Sequence, residues 1–423
     1  MSKLDWKVLP SDLAILREIA AKFRRLADSD ANRRVVDLWY KHDRNEEHRP
    51  LILTEFDGGL EMVLGGWKPR CQEQWAQLQE RALVEHMAHV EIVGEDYPLE
   101  PSVGMMWTID KGDWGVQTHE TQPETNGTKG AVHVDAVIEL PDGLDKLKQR
   151  VFSVDRELTQ EKIDLLSEVY DGLLTVRLRR NPWWTMGLTQ DGISLIGLEN
   201  MMMYMYDQPD ALHQLMGFLR DDHLALARWM EREGLLVLNN ENDYVGSGSR
   251  GYTRELPQKD LPAGKPPRMK DLWVLLESQE TVGVGPDQYG EFIFPYEEAI
   301  AREYGRVYYG CCEPINSRWQ VIKKMPNLKR VSISPWCDQE FMAAEMGNRY
   351  IYSRKPKPTL VSTERFDEDL IRQDLRTTMQ ITKAHHCPTE IVMKDVHTLN
   401  GETNRLTRWV SLARQVSREV YGE

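Results

Sequence analysis

GRVYYGCCEPINSRWQVIKKMPNLKRVSISPWCDQEFMAAEMGNRYIYSRKP, residues 305–356, sets three short apolar runs at regular intervals. The runs 305–312, 329–335 and 349–356 read as strands, and the stretches 317–324 and 339–346 between them read as helices. The same rhythm extends in both directions. Strand-like runs at 235–240 and 272–280 precede a helix over 288–303, and a helix over 366–384 precedes a strand at 390–396 and a last helix at 403–421. Short, nearly continuous apolar runs alternating with helices mean parallel strands covered on their faces by helices. No glycine-rich dinucleotide turn opens the first unit, and the repetition outlasts a Rossmann half. The expected fold is therefore α/β, a (β/α)8 TIM barrel forming one domain over 1–423.

Upstream the pattern is less regular. Residues 11–44 read as helix with Leu13, Ile15, Leu16, Ile19 and Ala20 on one stripe, which gives an N-terminal helical extension over 1–45. A buried strand is expected within 48–57, then helices at 70–88, 159–170 and 212–234. Residues 97–150 break the rhythm with Trp107, Trp114 and a Gly/Thr/Asn-rich loop at 121–130, and read as an insertion or a small β layer.

The chain has 423 residues and a formal net charge of −14, which argues against nucleic acid as a partner. The first residues carry charges throughout and do not read as a signal peptide. The longest apolar cluster, 201–206, is too short for a membrane span and reads as core-filling methionine. Five scattered cysteines do not form a disulfide framework, so a cytoplasmic protein with reduced thiols is expected, and the sequon at Asn126 reads as a chance match. A homodimer is compatible with this composition.

In a barrel the chemistry gathers at the carboxyl ends of the strands. Residues just beyond each expected strand are Asn239, Asn240, Glu241 and Asp243; Glu277, Gln279 and Glu280; Cys311, Cys312 and Glu313; Trp336, Cys337 and Asp338; Arg354 and Lys355; and Asp395 and His397. Thiolate, imidazole and carboxylate groups arriving from separate strand ends suit zinc. Cys311, Cys312, Glu313, Cys337 and His397 are the candidate ligands, against the plainer reading of cysteine as a small buried residue. Side-chain alternation predicts that only one of Cys311 and Cys312 faces inward. Glu241, Asp243 and Glu280 are candidates to orient substrate or move a proton, and Trp183, Trp184, Tyr309 and Trp336 to wall the site.

Two stretches mimic familiar sites. Residues 246–251, GSGSRG, match a dinucleotide fingerprint but are followed by a Pro-rich run that cannot open the required helix, and read as a mobile loop over the barrel mouth. DVHTLNG, residues 395–401, approaches a cobalt-ligating pattern, but too little chain follows to house a corrinoid. The pair His385 and His386 reads as a helix end.

DQYGEFIFPYEEAIAREYGRVYYGCCEPI (287–315) resembles the hallmark segment of the uroporphyrinogen decarboxylase superfamily. Residues 37–57 resemble that family's opening helix and strand, 347–358 a late strand, and 395–416 the closing segment. The arginine-rich segment of the true decarboxylases has no counterpart in 44–75, where Arg44, Arg49, Lys68 and Arg70 are the nearest basic groups. The resemblance is to the zinc-dependent, cobalamin-linked methyltransferase branch. There a His-x-Cys pair holds zinc; here it falls on Tyr309 and Cys311, or on Gly310 and Cys312, without the histidine. The family's closing cysteine falls near Val396 or His397. The resemblance implies a methyltransferase component moving a methyl group between a small molecule and a corrinoid on a separate protein, at zinc. A metal-free decarboxylase and a non-catalytic tetrapyrrole- or partner-binding barrel are the alternatives.

Overall fold

The computed structural model describes residues 5–117, 120–121 and 133–422. The three runs of the opening stretch are neighbouring parallel strands. The parallel strands are β1 (Leu51–Thr54), β2 (Ser102–Met105), β3 (Thr175–Leu178), β4 (Trp273–Leu276), β5 (Arg306–Tyr309), β6 (Leu328–Ile333), β7 (Ile351–Arg354) and β8 (Thr389–Met393). Six make one sheet in the order β1-β8-β7-β6-β5-β4, while β2 and β3 form a separate parallel pair. The fold is thus α/β with a parallel central sheet, and its first strand pairs with its last.

Alternation sorts the side chains. Val307, Tyr309, Val331, Ile333 and Tyr352 are buried in the main core, which also takes residues of the helices Pro209–Glu233 and Pro286–Phe292. Ile52, Ile391 and Met393 pack under Arg405–Tyr421. The opposite face mixes apolar groups with buried charge. Leu51, Leu53 and Val392 meet Trp39 and Tyr252; Trp273, Leu275 and Tyr308 meet Val245. Beside them Glu390 accepts from Ser249 Oγ at 3.0 Å and lies 3.2 Å from His42 Nε2. Burial holds the His42 ring down to about 3, so it is neutral near pH 7. Arg306, the first residue of β5, pairs with Asp43 at 2.5 Å. The N-terminal helices therefore reach the amino ends of the strands with charged groups.

Several elements differ from the sequence reading, each for a local reason. The expected helix 11–44 is two, Pro10–Ala27 and Asp30–Asp43, because Ser29 Oγ caps the second by accepting from Asn32 N at 3.1 Å. The expected helix 288–303 is Pro286–Phe292 and Phe294–Ala301, broken before Pro295, which has no N–H to continue it. Within the expected insertion, Ser102–Met105 is a strand of the parallel framework and Thr108–Asp110 pairs antiparallel with Ser153–Asp155. The sequon and most of the glycine-rich loop lie outside the described residues.

Residues 235–240 are not a strand. Asn181 donates from Nδ2 to the Val237 carbonyl and accepts the Val237 N–H, both at 3.2 Å. Asn239 donates to the Trp273 carbonyl at 3.0 Å and accepts the Trp273 N–H at 2.9 Å. Side-chain amides thus stand where ladder bonds would, and Met186 N bonds Leu275 O at 2.9 Å. These contacts cover the outer edge of β4 without a continuous ladder, so hydrogen bonding among the described residues does not join the six strands and the pair into one ring.

The GSGSRG segment is a buried hairpin, Tyr244–Gly246 against Ser249–Arg250, rather than a mobile loop. It lies against the sheet: a Cβ on Gly248, at φ +85, would stand 2.5 Å from Val392 Cγ1, and one on Gly246 2.4 Å from the Tyr308 ring. Only glycine admits that approach.

Candidate functional site

A cavity of about 700 Å³ opens at the carboxyl ends of the strands. Its walls include Glu55 and Lys394, each one residue past its strand, the indoles of Trp183 and Trp184 after β3, and Asp243, Tyr244 and Arg250 from the buried hairpin. The far wall is His86, His89 and Tyr97. His89 stacks between Phe56 and Tyr97, with centroids 4.0 and 4.3 Å away. Burial holds His86 and His89 down to about 3, so near pH 7 neither adds positive charge. Burial raises the Asp243 carboxyl above its usual range despite Arg179, 3.3 Å away.

The cysteine pair sits just behind Lys394. Gly310, at φ +92, ends the alternation of β5, so the two sulfurs lie side by side, 3.5 Å apart, rather than on opposite faces. This departs from the alternation expectation, which holds only while the strand continues. Cys311 Sγ is buried, 3.9 Å from Ser247 Oγ and 3.7 Å from Lys394 Nζ. Cys312 Sγ is 3.5 Å from Asp395 Oδ2. The hydrogen bond from Cys312, with Lys394 assisting, lowers the Cys311 thiol pKa, while the same bond raises that of Cys312. Of the two, Cys311 has the surroundings that favour the thiolate form. Lys394 is held as ammonium because Cys311 and Glu55 outweigh the cost of burial.

The other expected ligands lie elsewhere. Glu313 spends its carboxylate on two backbone N–H groups, Cys311 at 2.8 Å and Ser278 at 3.1 Å. Cys337 packs in the core with its sulfur 3.6 Å from Ser334 Oγ. His397 is exposed. Among the described residues no three His, Cys, Asp or Glu side chains converge as a metal-holding group. Of the expected catalytic carboxylates, Asp243 lines the cavity, Glu241 pairs with Arg177 and Arg179 outside it, and Glu280 accepts from Thr189 Oγ1 at 2.6 Å away from it. Trp183 and Trp184 line the cavity. Tyr309 is fully buried behind the sheet, bonded to Tyr289 and Ser278, and Trp336 is 66% exposed against Lys357.

Glu55, His86, His89, Tyr97, Arg250 and Lys394 escaped the sequence reading. Lys394 had a signal: Glu390, Val392 and Lys394 alternate onto the inner face of β8 and its extension, but extending that strand to residue 396 hid its true end.

No protein-family model matches the chain, and no curated protein sequence matches it. In structure it is similar to a methyltransferase from Methanosarcina mazei, with a TM-score of 0.51 and 11% identity, over 90% of this chain and 98% of that one. At that identity the likeness speaks for the fold. No helix among the described residues is long and apolar enough to cross a membrane.

Proposed function

We propose that the chain is a methyltransferase that takes a small methylated molecule into the cavity and exchanges its methyl group with a corrinoid carried by a separate protein. The observation that carries this reading is the cavity itself: indole and phenol walls end at Lys394, with the Cys311 sulfur 3.7 Å behind its ammonium. The likeness to the archaeal methyltransferase fold supports it. So does the placement at carboxyl strand ends, where an eight-stranded barrel, the closed form proposed for β1–β8, gathers its chemistry.

The donor set does not fit a zinc ion as arranged. The ammonium of Lys394 stands 3.7 Å from Cys311 Sγ and 3.6 Å from Asp395 Oδ1, where a metal cation would be received. Glu313, Cys337 and His397 are not within this group. The chain's own residues account for what the reading needs. Trp183 and Trp184 hold the apolar part of the substrate and exclude water. Lys394, held as an ammonium by Cys311 and Glu55, stands at the cavity wall where it can give its proton to the substrate heteroatom as that atom parts from the methyl group with the bonding electron pair.

A second reading, metal-free decarboxylation, is favoured by Asp243 at the cavity wall, whose carboxyl burial raises above its usual range. One experiment separates them. Purified protein is incubated with methylated candidates and cob(I)alamin, while methylcobalamin, carbon dioxide and bound metal are measured together. Methylcobalamin formation, lost in Lys394→Met, supports the proposal. Carbon dioxide without methyl transfer overturns it, and about one zinc per chain, lost in the Cys311→Ser/Cys312→Ser double variant, would reinstate a metal centre.

A further inference from the structure

The hairpin that carries Gly246 and Gly248 against the sheet also delivers one guanidinium to the cavity. Arg250 lines it, with Cζ 4.6 Å above the centre of the Tyr97 ring. Tyr97 stacks on His89 and His89 on Phe56, so the guanidinium rests on a fixed aromatic column. The hairpin backbone is fixed as well: the Arg250 carbonyl accepts from the buried Arg330, and Gly251 N bonds Asp243 O at 2.9 Å. Yet the Arg250 side chain has no hydrogen bond and no ion pair within 4 Å among the described residues, and its Nε is buried without a partner.

The wall carboxylates do not supply that partner. Asp243 is engaged by Arg179, Glu55 lies nearest Lys394, and Asp57 accepts from Val396 N at 3.1 Å. A second guanidinium lining the cavity, Arg180, also lacks an ion pair among the described residues, and its backbone is in the left-handed region at φ +66. Most arginines this enclosed are paired, because an uncompensated buried charge is costly. A rigid guanidinium with its donor edge free matches a planar oxyanion by two parallel hydrogen bonds.

We infer that Arg250 is the carboxylate-binding residue of this cavity, and that the molecule it takes carries a carboxylate as well as its methyl group. The second half rests on the methyltransferase reading; the first does not. Arg250 anchors the acid, and the remainder of the cavity, walled by Trp183 and Trp184, receives the methyl-bearing part.

The test is calorimetric titration of the full chain with matched pairs that differ by the carboxylate: 4-methoxybenzoate against anisole, and N,N-dimethylglycine against trimethylamine. The wild type is expected to bind at least one acid about 10- to 100-fold more tightly than its partner, the range of a charged hydrogen-bonded contact. Arg250→Gln is expected to erase that preference, and Arg250→Lys to restore only part of it, since an ammonium cannot form the fork. Absence of any preference in the wild type, which needs no variant to fold, overturns the inference. So does a preference that survives in Arg250→Gln. Acid binding that follows Arg250 without methyl transfer leaves the carboxylate site standing and removes the methyltransferase reading. Methyl transfer from anisole or trimethylamine at the rate of its acid partner does the reverse.

Discussion

Replacing Asn239 by alanine should expose how the edge of the sheet is held. Its side chain makes both bonds that a neighbouring strand would make to Trp273, donating at 3.0 Å and accepting at 2.9 Å. Alanine leaves the N–H and the carbonyl of a buried strand residue without partners. Each orphaned group costs about 1–3 kcal/mol, so a total of about 3 kcal/mol is expected once water from the cavity satisfies part of the loss. Unfolding entropy is roughly 2.1 cal/mol/K per residue, about 0.9 kcal/mol/K for a chain of this length, which converts to a drop in Tm of about 3 °C. Two controls sharpen the assay. Asn240 makes one such bond, to Leu256 O at 2.8 Å, so Asn240→Ala should cost about 1 kcal/mol. Asn239→Asp keeps the acceptor but turns an oxygen toward the Trp273 carbonyl, and should cost at least as much as alanine. Thermal unfolding gives the energies, and hydrogen exchange at the Trp273 amide reports the bond itself. If Asn239→Ala melts within about 1 °C of wild type while the Trp273 amide stays protected, the side-chain ladder is refuted.

Three further outcomes are expected. Gly248→Val drives a side chain into Val392 at a positive φ and should destabilise by about 3 kcal/mol or more in denaturant titration, whereas Gly264→Ala, in open space at φ +76, should cost about 1 kcal/mol. Lys394→Met removes the cation beside Cys311, so the thiolate absorbance of Cys311 should appear at higher pH than in wild type; an unchanged titration would dismiss Lys394 as its partner. Burial lowers Lys355 to about 8, below the roughly 10.4 of an unfolded lysine. The folded state then binds fewer protons than the unfolded one between those values, so this group makes stability rise with pH from about 8 to about 10.4. Lys355→Met should flatten that rise in a pH series of denaturant midpoints, and a series parallel to wild type would contradict it.

What was legible in the chain is the part governed by local periodicity. Short apolar runs between helices announced a parallel sheet, and β4 to β8 formed at the expected places, because a strand covered on both faces is mostly apolar along its length. Alternation then limited which residues of β5 and β8 face the enclosed side. Trp183 and Trp184 were singled out as an aromatic pair and Asp243 as the end of a run that does not form a strand, and all three line the cavity.

Tertiary structure decided the rest. Neither composition nor spacing reveals that Asn181 bonds the main chain of Val237 and Asn239 that of Trp273 at the outer edge of β4, since an amide side chain reads as a loop residue until the neighbouring backbone is known. Cys311 and Cys312 looked like one half of a metal site because nothing in the linear order shows that Lys394 stands 3.7 Å from the sulfur. Arg250, set aside with a glycine-rich loop, became a cavity residue only when that loop folded into the enclosed face. Charges distant along the chain acquire their partners, or are left without them, through packing, because electrostatic interaction depends on separation in space and on burial rather than on position in the sequence.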